Sequence, residues 1–166
     1  MSQKMFRQIA TSLTVLAFLS ATGCAHKKAE ETPTEIGAAT GTDENTLGDS
    51  DSGKAMGLQT VHFPYDSFTL DSAAKSALKA NADLMKTKST LKIQIEGHCD
   101  QSGGIQYNIA LGEKRASATK KYLQDMGVSG DRLSTISYGK ERPIDSSGTD
   151  AGNAKNRRAN FVVTSK

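Results

Sequence analysis

Residues 95–116 read IEGHCDQSGGIQYNIALGEKRA. Leu91, Ile93 and Ile95 alternate with polar neighbours as far as Gly97, the period-two pattern of a strand with one buried face. A polar loop follows with Asp100 near its start, and then a helical stretch that carries Asn108, Leu111 and Arg115. Positions 111 and 115 are one turn apart, so Leu111 lies on the face of Arg115, with Asn108 a further turn back toward the loop. Arg115 offers a planar fork that suits a carboxylate, while Asp100 and the more distant Asp66 offer acceptors for an ammonium. An acid at a strand end and a base on the next helix can face each other across one cleft. That arrangement suits a zwitterionic ligand better than it suits a reaction.

Working outward from this block, strands and helices alternate. Thr60–Phe63 reads as a short strand ended by Pro64. Asp71 is a candidate N-cap for a helix to about Lys86, with Ala74, Ala77, Leu78, Asn81, Leu84 and Met85 on one face. The long helix from Ile105 to about Met126 puts Ile109, Gly112, Ala116, Thr119, Leu123 and Met126 on one side, and Gly127 is a natural stop. Asp131–Tyr138 reads as a third strand. Asp150 is expected to cap a short helix through Arg157, and Asn160–Thr164 makes the last strand. The predicted fold class is α/β, a sandwich of two long helices and a short one on a small mixed sheet.

The chain has 166 residues, no Trp and 5% aromatic content, so its core must be built mainly from aliphatic side chains. From Leu58 onward 16 Lys and Arg stand against 11 Asp and Glu. This mild positive balance fits an anionic polymer or an acidic partner but is too ordinary to argue from. Residues 1–23 read as a secretory signal, with Lys4 and Arg7 ahead of the apolar run Ile9–Leu19 and small residues Ala21, Thr22 and Gly23 before Cys24. That run is short of the roughly 20 residues a membrane span needs. A small residue immediately before Cys24 is what a bacterial lipoprotein signal looks like, although Ala21 stands where Leu is usual. Lipidation of Cys24 would anchor the chain, since each buried acyl methylene contributes about 0.8 kcal/mol. Residues 24–57 hold one Pro and almost no large apolar residues, so a flexible linker is expected there.

Four ordered blocks carry a family resemblance: Val61–Phe68 (VHFPYDSF), residues 95–116, Ser137–Pro143 (SYGKERP) and Asn153–Ala159 (NAKNRRA). Residues 58–166 resemble the OmpA-like peptidoglycan-binding domain, as found in peptidoglycan-associated lipoproteins. The resemblance implies that Asp100, Arg115, Asp66, Tyr65, Leu111 and Asn108 hold the meso-diaminopimelate of the peptidoglycan stem peptide. The ligand carboxylate would meet Arg115 and its amine Asp100, while Tyr65 and Asp66 close the other wall. It also implies a TolB-like periplasmic protein as partner and, with Ala25 after Cys24, an outer-membrane anchor with the domain facing the periplasm. The sequence departs from the family at Ser102, where an Arg is common, and at Cys99, where Ala or Thr is usual.

Other readings of the same residues are weaker. Asp100 and Arg115 could simply pair with each other and fix the loop. Arg157 and Arg158 could satisfy a helix C-terminus or border the site. His98, Cys99 and Asp100 have the side-chain types of a hydrolase, but sequence neighbours rarely aim at one reacting atom, so no enzyme is expected. Neither a cofactor nor a metal is expected, because His98 and Cys99 lack further ligands at zinc-binding spacing. With Cys24 lipidated, Cys99 has no partner for a disulfide and is expected to be a small buried residue. Nucleic-acid binding has no support beyond the small positive charge.

Overall fold

The computed structural model describes residues 47–166. The expected signal peptide, the Cys24 lipidation site and the linker up to residue 46 lie outside the described residues. The elements are β1 (Val61–His62), α1 (Ser72–Thr87), β2 (Lys92–His98), α2 (Ile105–Asp125), β3 (Leu133–Gly139), α3 (Asp150–Asn156) and β4 (Arg158–Ser165), with one 3-10 turn at Gly130–Arg132. The sheet order is β1-β4-β2-β3. β4 is antiparallel to both its neighbours and β2 is parallel to β3. A parallel pair needs a long crossover, and α2 supplies it. The expected α/β sandwich with a mixed sheet is what forms.

Local chemistry fixes the helix ends. Asp71 caps α1, its Oδ1 accepting from the Ala74 N–H at 2.8 Å. Past α2 the chain turns at Gly127 with φ 92°. Its N–H reaches the Gln124 carbonyl at 2.8 Å, and the Val128 N–H reaches Leu123 at 3.0 Å, a two-bond closure that requires the left-handed residue. The cap of α3 is Thr149 rather than the expected Asp150, its hydroxyl accepting from the Gly152 N–H at 3.1 Å. Asp150 falls in the first turn, where its charge suits the helix dipole.

One face of the sheet carries Ile93 and Ile95 of β2 and Ala159, Phe161 and Val163 of β4, packed with Ala74, Leu78 and Met85 of α1 and Ala116 and Leu123 of α2. Helix α2 lies so close to β2 that a Cβ on Gly97 would sit 1.9 Å from the Gly112 carbonyl oxygen. Two glycines therefore set the height of the helix above the strand. Its first turns come to rest beside the end of β2, with Asn108, Leu111 and Arg115 all buried.

The expected flexible linker does not extend to Gly57. Residues 47–57 form a strap along β4: Leu47 N–H bonds to Val163 O at 3.0 Å, Val163 N–H to Gly48 O at 2.9 Å, and Ser50 N–H to Phe161 O at 3.0 Å. Asp49 bridges Val162 in antiparallel register. The physical reason lies in β1, which pairs only with Arg158 and Ala159. The rest of that edge of β4 would be left with open backbone groups, and the strap occupies it. Asp51 then meets Arg158 at 2.7 Å in a partly buried ion pair, and Ala55 enters the core with no exposed surface. Composition hid this, because the strap is held by backbone bonds and one ion pair rather than by large apolar side chains.

Beneath the strap the second face of the sheet is polar. Glu96 accepts from the Asn160 amide at 2.9 Å and lies 3.3 Å from His98 Nε2, and Asn160 Oδ1 accepts from the Ser50 hydroxyl at 2.8 Å. His98 stacks on Tyr138 with ring centroids 5.6 Å apart. Among the described residues no helix is long and apolar enough to cross a membrane.

Candidate functional site

The end of β2, the loop after it, the first turns of α2 and the turn after β1 enclose a cleft of about 130 Å³. All six residues singled out in the sequence line it: Tyr65, Asp66, Asp100, Asn108, Leu111 and Arg115. Cys99, Ser102, Gly103 and Tyr107 complete the wall.

Arg115 is wholly buried at the inner side of the cleft. Its Nε donates to Ser67 O at 2.9 Å, one terminal nitrogen to His98 O at 2.8 Å and the other to Pro64 O at 3.2 Å. Its face lies over the Phe63 ring, 5.2 Å from the centroid. Each nitrogen thus donates to a main-chain carbonyl, and two of the five N–H groups of the guanidinium are left over from these three bonds. Arg115 fastens the 64–67 turn to the end of β2 and keeps a positive charge beneath the cleft. Burial pushes its pKa down, opposed by the neighbouring Cys99 and Asp100. A guanidinium starts so high that it stays charged.

Asp100 does not take Arg115 as its ion-pair partner. Its Oδ2 meets Arg157 at 3.1 Å, with both side chains largely buried, and its Oδ1 accepts from the Ser102 N–H at 3.0 Å. Arg157 also donates to Phe63 O at 3.2 Å, so the residue after α3 ties that helix to the cleft loop and to β1. Asn108 holds the loop from the other side, donating to Ser102 O at 2.7 Å and Gly104 O at 3.1 Å. Asp66 stands at the mouth with φ 47°, a left-handed conformation that Asp tolerates better than most residues. It accepts a short hydrogen bond from the Tyr107 hydroxyl, and this bond raises the tyrosine pKa.

Tyr107 is the functional candidate that the sequence reading missed. It precedes Leu111 by one helical turn and shares its face, so the spacing that selected Leu111 and Arg115 points to it as well. Cys99 is 2% exposed, and burial raises the pKa of its thiol, leaving an inert neutral group that donates to Asn108 O at 3.4 Å. His98 belongs to the polar face under the strap, whereas Cys99 and Asp100 line the cleft, so the three consecutive residues do not converge. Among the described residues no three His, Cys, Asp or Glu side chains group to hold a metal. The cleft therefore presents one buried cation, two carboxylates and two exposed tyrosines, which is a binding geometry for a small group bearing both charges.

Comparison with known proteins agrees with this class of fold. The OmpA family model matches residues 62–157, and the chain belongs to that family. Within it the chain is similar to the peptidoglycan-associated lipoprotein of Pseudomonas aeruginosa, 37% identical over 153 residues that cover 86% of this chain and 89% of the relative. It is also similar to the peptidoglycan-associated lipoprotein of Legionella pneumophila, 38% identical over 115 residues, covering 69% of this chain and 65% of that relative's length. The crystal structure of the peptidoglycan-associated lipoprotein from Burkholderia pseudomallei superposes with a TM-score of 0.62 at 33% identity, covering 68% of this chain and 96% of that one. The C-terminal domain of Helicobacter pylori MotB shares the fold at 22% identity, with a TM-score of 0.59 over 63% of this chain and 83% of that one.

Proposed function

We propose that this protein is an outer-membrane lipoprotein, anchored through Cys24, whose folded domain faces the periplasm and grips peptidoglycan non-covalently. It would tether membrane to wall as part of a Tol-Pal system and serve envelope integrity and constriction at division. The relatives named as peptidoglycan-associated lipoproteins support the wall as ligand. The observation that carries the reading is the cleft itself, lined by a buried guanidinium together with Asp66, Asp100, Tyr65 and Tyr107. The meso-diaminopimelate of the stem peptide fits that pattern. Its ammonium would meet Asp100 and Asp66, and its carboxylate would lie over the positive Arg115 and near the loop N–H groups. No group here is placed to attack a bond, and the role is binding rather than catalysis. Each site is weak, and lipid anchorage beside a dense array of ligands supplies avidity.

The test is co-sedimentation of the chain from Ala25 onward with purified sacculi, with and without free meso-diaminopimelate. Sedimentation that the free amino acid abolishes supports the reading. Asp66→Asn should weaken binding about tenfold, the worth of one charge-assisted hydrogen bond, without changing the melting temperature. Failure of the wild-type chain to sediment would overturn the proposal.

A second reading is favoured by the rim of the cleft. Tyr65, Phe68, Ile105 and Tyr107 are all large apolar or aromatic side chains with about half or more of their surface exposed. A protein partner would cover them, and the TolB-like periplasmic protein implied by the resemblance would then compete with the wall for one surface. Sacculi that displace such a partner from the chain would support this second reading.

A further inference from the structure

Next to the cleft lies a second cavity of about 250 Å³, against about 130 Å³ for the first. It shares Tyr65, Asp100 and Ser102 with the cleft and is completed by Asp150, Asn153 and Arg157. Asp100 is the partition between the two, with one oxygen held by the Ser102 N–H and the other by Arg157. Among the described residues Arg157 donates one bond to Phe63 and one to Asp100. A guanidinium carries five N–H groups, so donors remain for a ligand. Asn153 lines the cavity with a half-buried amide, which can both donate and accept. Asp150 adds an acceptor.

A cavity lined by both strong donors and acceptors matches a peptide unit, which carries one N–H and one carbonyl. It matches a lone anion poorly, because Asp150 and Asp100 would both repel one. An ammonium seated against Asp100 in the first cleft would also draw charge from the carboxylate that Arg157 now serves. That frees Arg157 for a new acceptor on its own side of the partition.

Resting on the reading that the first cleft holds a diamino acid of the wall, we propose that the second cavity takes the residue joined to it by a peptide bond. The carbonyl or carboxylate oxygen of that residue meets Arg157, and the N–H of the joining peptide bond meets Asn153 or Asp150. The recognised unit is then a dipeptide, and the free amino acid is an incomplete ligand.

The experiment is calorimetric titration of the full chain in mild detergent with three probes. These are free meso-diaminopimelate, the dipeptide in which D-alanine follows it, and the tripeptide L-alanyl-γ-D-glutamyl-meso-diaminopimelate. One added charge-assisted hydrogen bond corresponds to a gain of about tenfold or more for at least one peptide over the free amino acid. The peptide that shows the gain identifies which neighbour occupies the cavity. Asn153→Ala and Arg157→Lys should each remove most of that gain. Asn153→Ala, on a partly exposed helix position, should leave the affinity for free meso-diaminopimelate unchanged. Equal affinity for all three probes overturns the second cavity while leaving the proposed function intact. Failure of every probe to bind overturns both.

Discussion

Arg115→Lys tests whether the buried guanidinium is chiefly a fastener. The substitution keeps the charge but offers donors from one nitrogen in place of three, so the carbonyls of Ser67, His98 and Pro64, each met by its own nitrogen, cannot all be reached and about two are expected to lose their partner. A hydrogen bond from a charged donor contributes about 1.5–3 kcal/mol, so losing two costs about 3–6 kcal/mol before the structure relaxes. Against a total stability of about 5–15 kcal/mol this is a large fraction. At roughly 4 °C per kcal/mol for a domain of this size, melting should fall by about 10–25 °C. Arg115→Ala should fall at least as far, since it also leaves a cavity in a fully buried site. Circular dichroism melts check this, and wall binding should be measured well below the melting temperature of each variant. The 64–67 turn carries Asp66, so binding should be weak even where the variant is folded. A Lys variant that melts within about 3 °C of wild type would refute the fastening role, because the loss of two bonds from a charged donor should cost more than that.

Three further outcomes are expected. Gly97→Ala places a methyl group 1.9 Å from the Gly112 carbonyl, so α2 must lift from β2, and the melting temperature should drop by roughly 5 °C or more. Acid should destabilise the fold in two stages. Burial lowers the pKa of His98, so its contribution is whole above the ordinary value of 6.5 and is lost as pH falls through the lower folded value. Burial raises that of Glu96, but the bonds from His98 and Asn160 outweigh it, so its contribution is lost only below the ordinary 4.5. His98→Gln should flatten melting temperature against pH in the upper stage alone, and parallel curves for variant and wild type would count against it. A chain starting at Leu58 uncovers the edge of β4 beyond Ala159 and leaves Arg158 without Asp51, so it should melt lower and self-associate on size-exclusion chromatography, unlike the full-length chain.

The parts legible in the sequence are those in which a residue reports its own surroundings. The apolar face of α1, its Asp71 cap and the Gly127 stop follow from spacing and backbone geometry within a few residues. The cleft was legible for the same reason, because Asp100, Asn108, Leu111 and Arg115 sit on one strand–loop–helix unit whose geometry is local. What stayed hidden depends on partners far along the chain. The carbonyls that occupy Arg115 come from 48 and 51 residues away as well as from His98. The Arg157 partner of Asp100 is 57 residues off, and Arg158 finds Asp51 across 107. Charge complementarity allows many such pairs, and only the assembled sheet selects among them. The strap escaped notice because backbone hydrogen bonds leave no trace in composition.

The strap also has a mechanical meaning. It joins β4 at the Val163 end, whereas the cleft sits at the Arg157 end, about six residues or roughly 20 Å away along the strand. On the proposed function, pulling between membrane and wall acts on Leu47 at one end and on the cleft at the other. The force then runs along the strands, so the strap bonds to β4 and the Asp51–Arg158 pair are loaded together in shear instead of being unzipped one at a time. A tether joined to the fold beside the cleft would peel. Joined where it is, it spreads the load over the antiparallel ladder at the centre of the sheet.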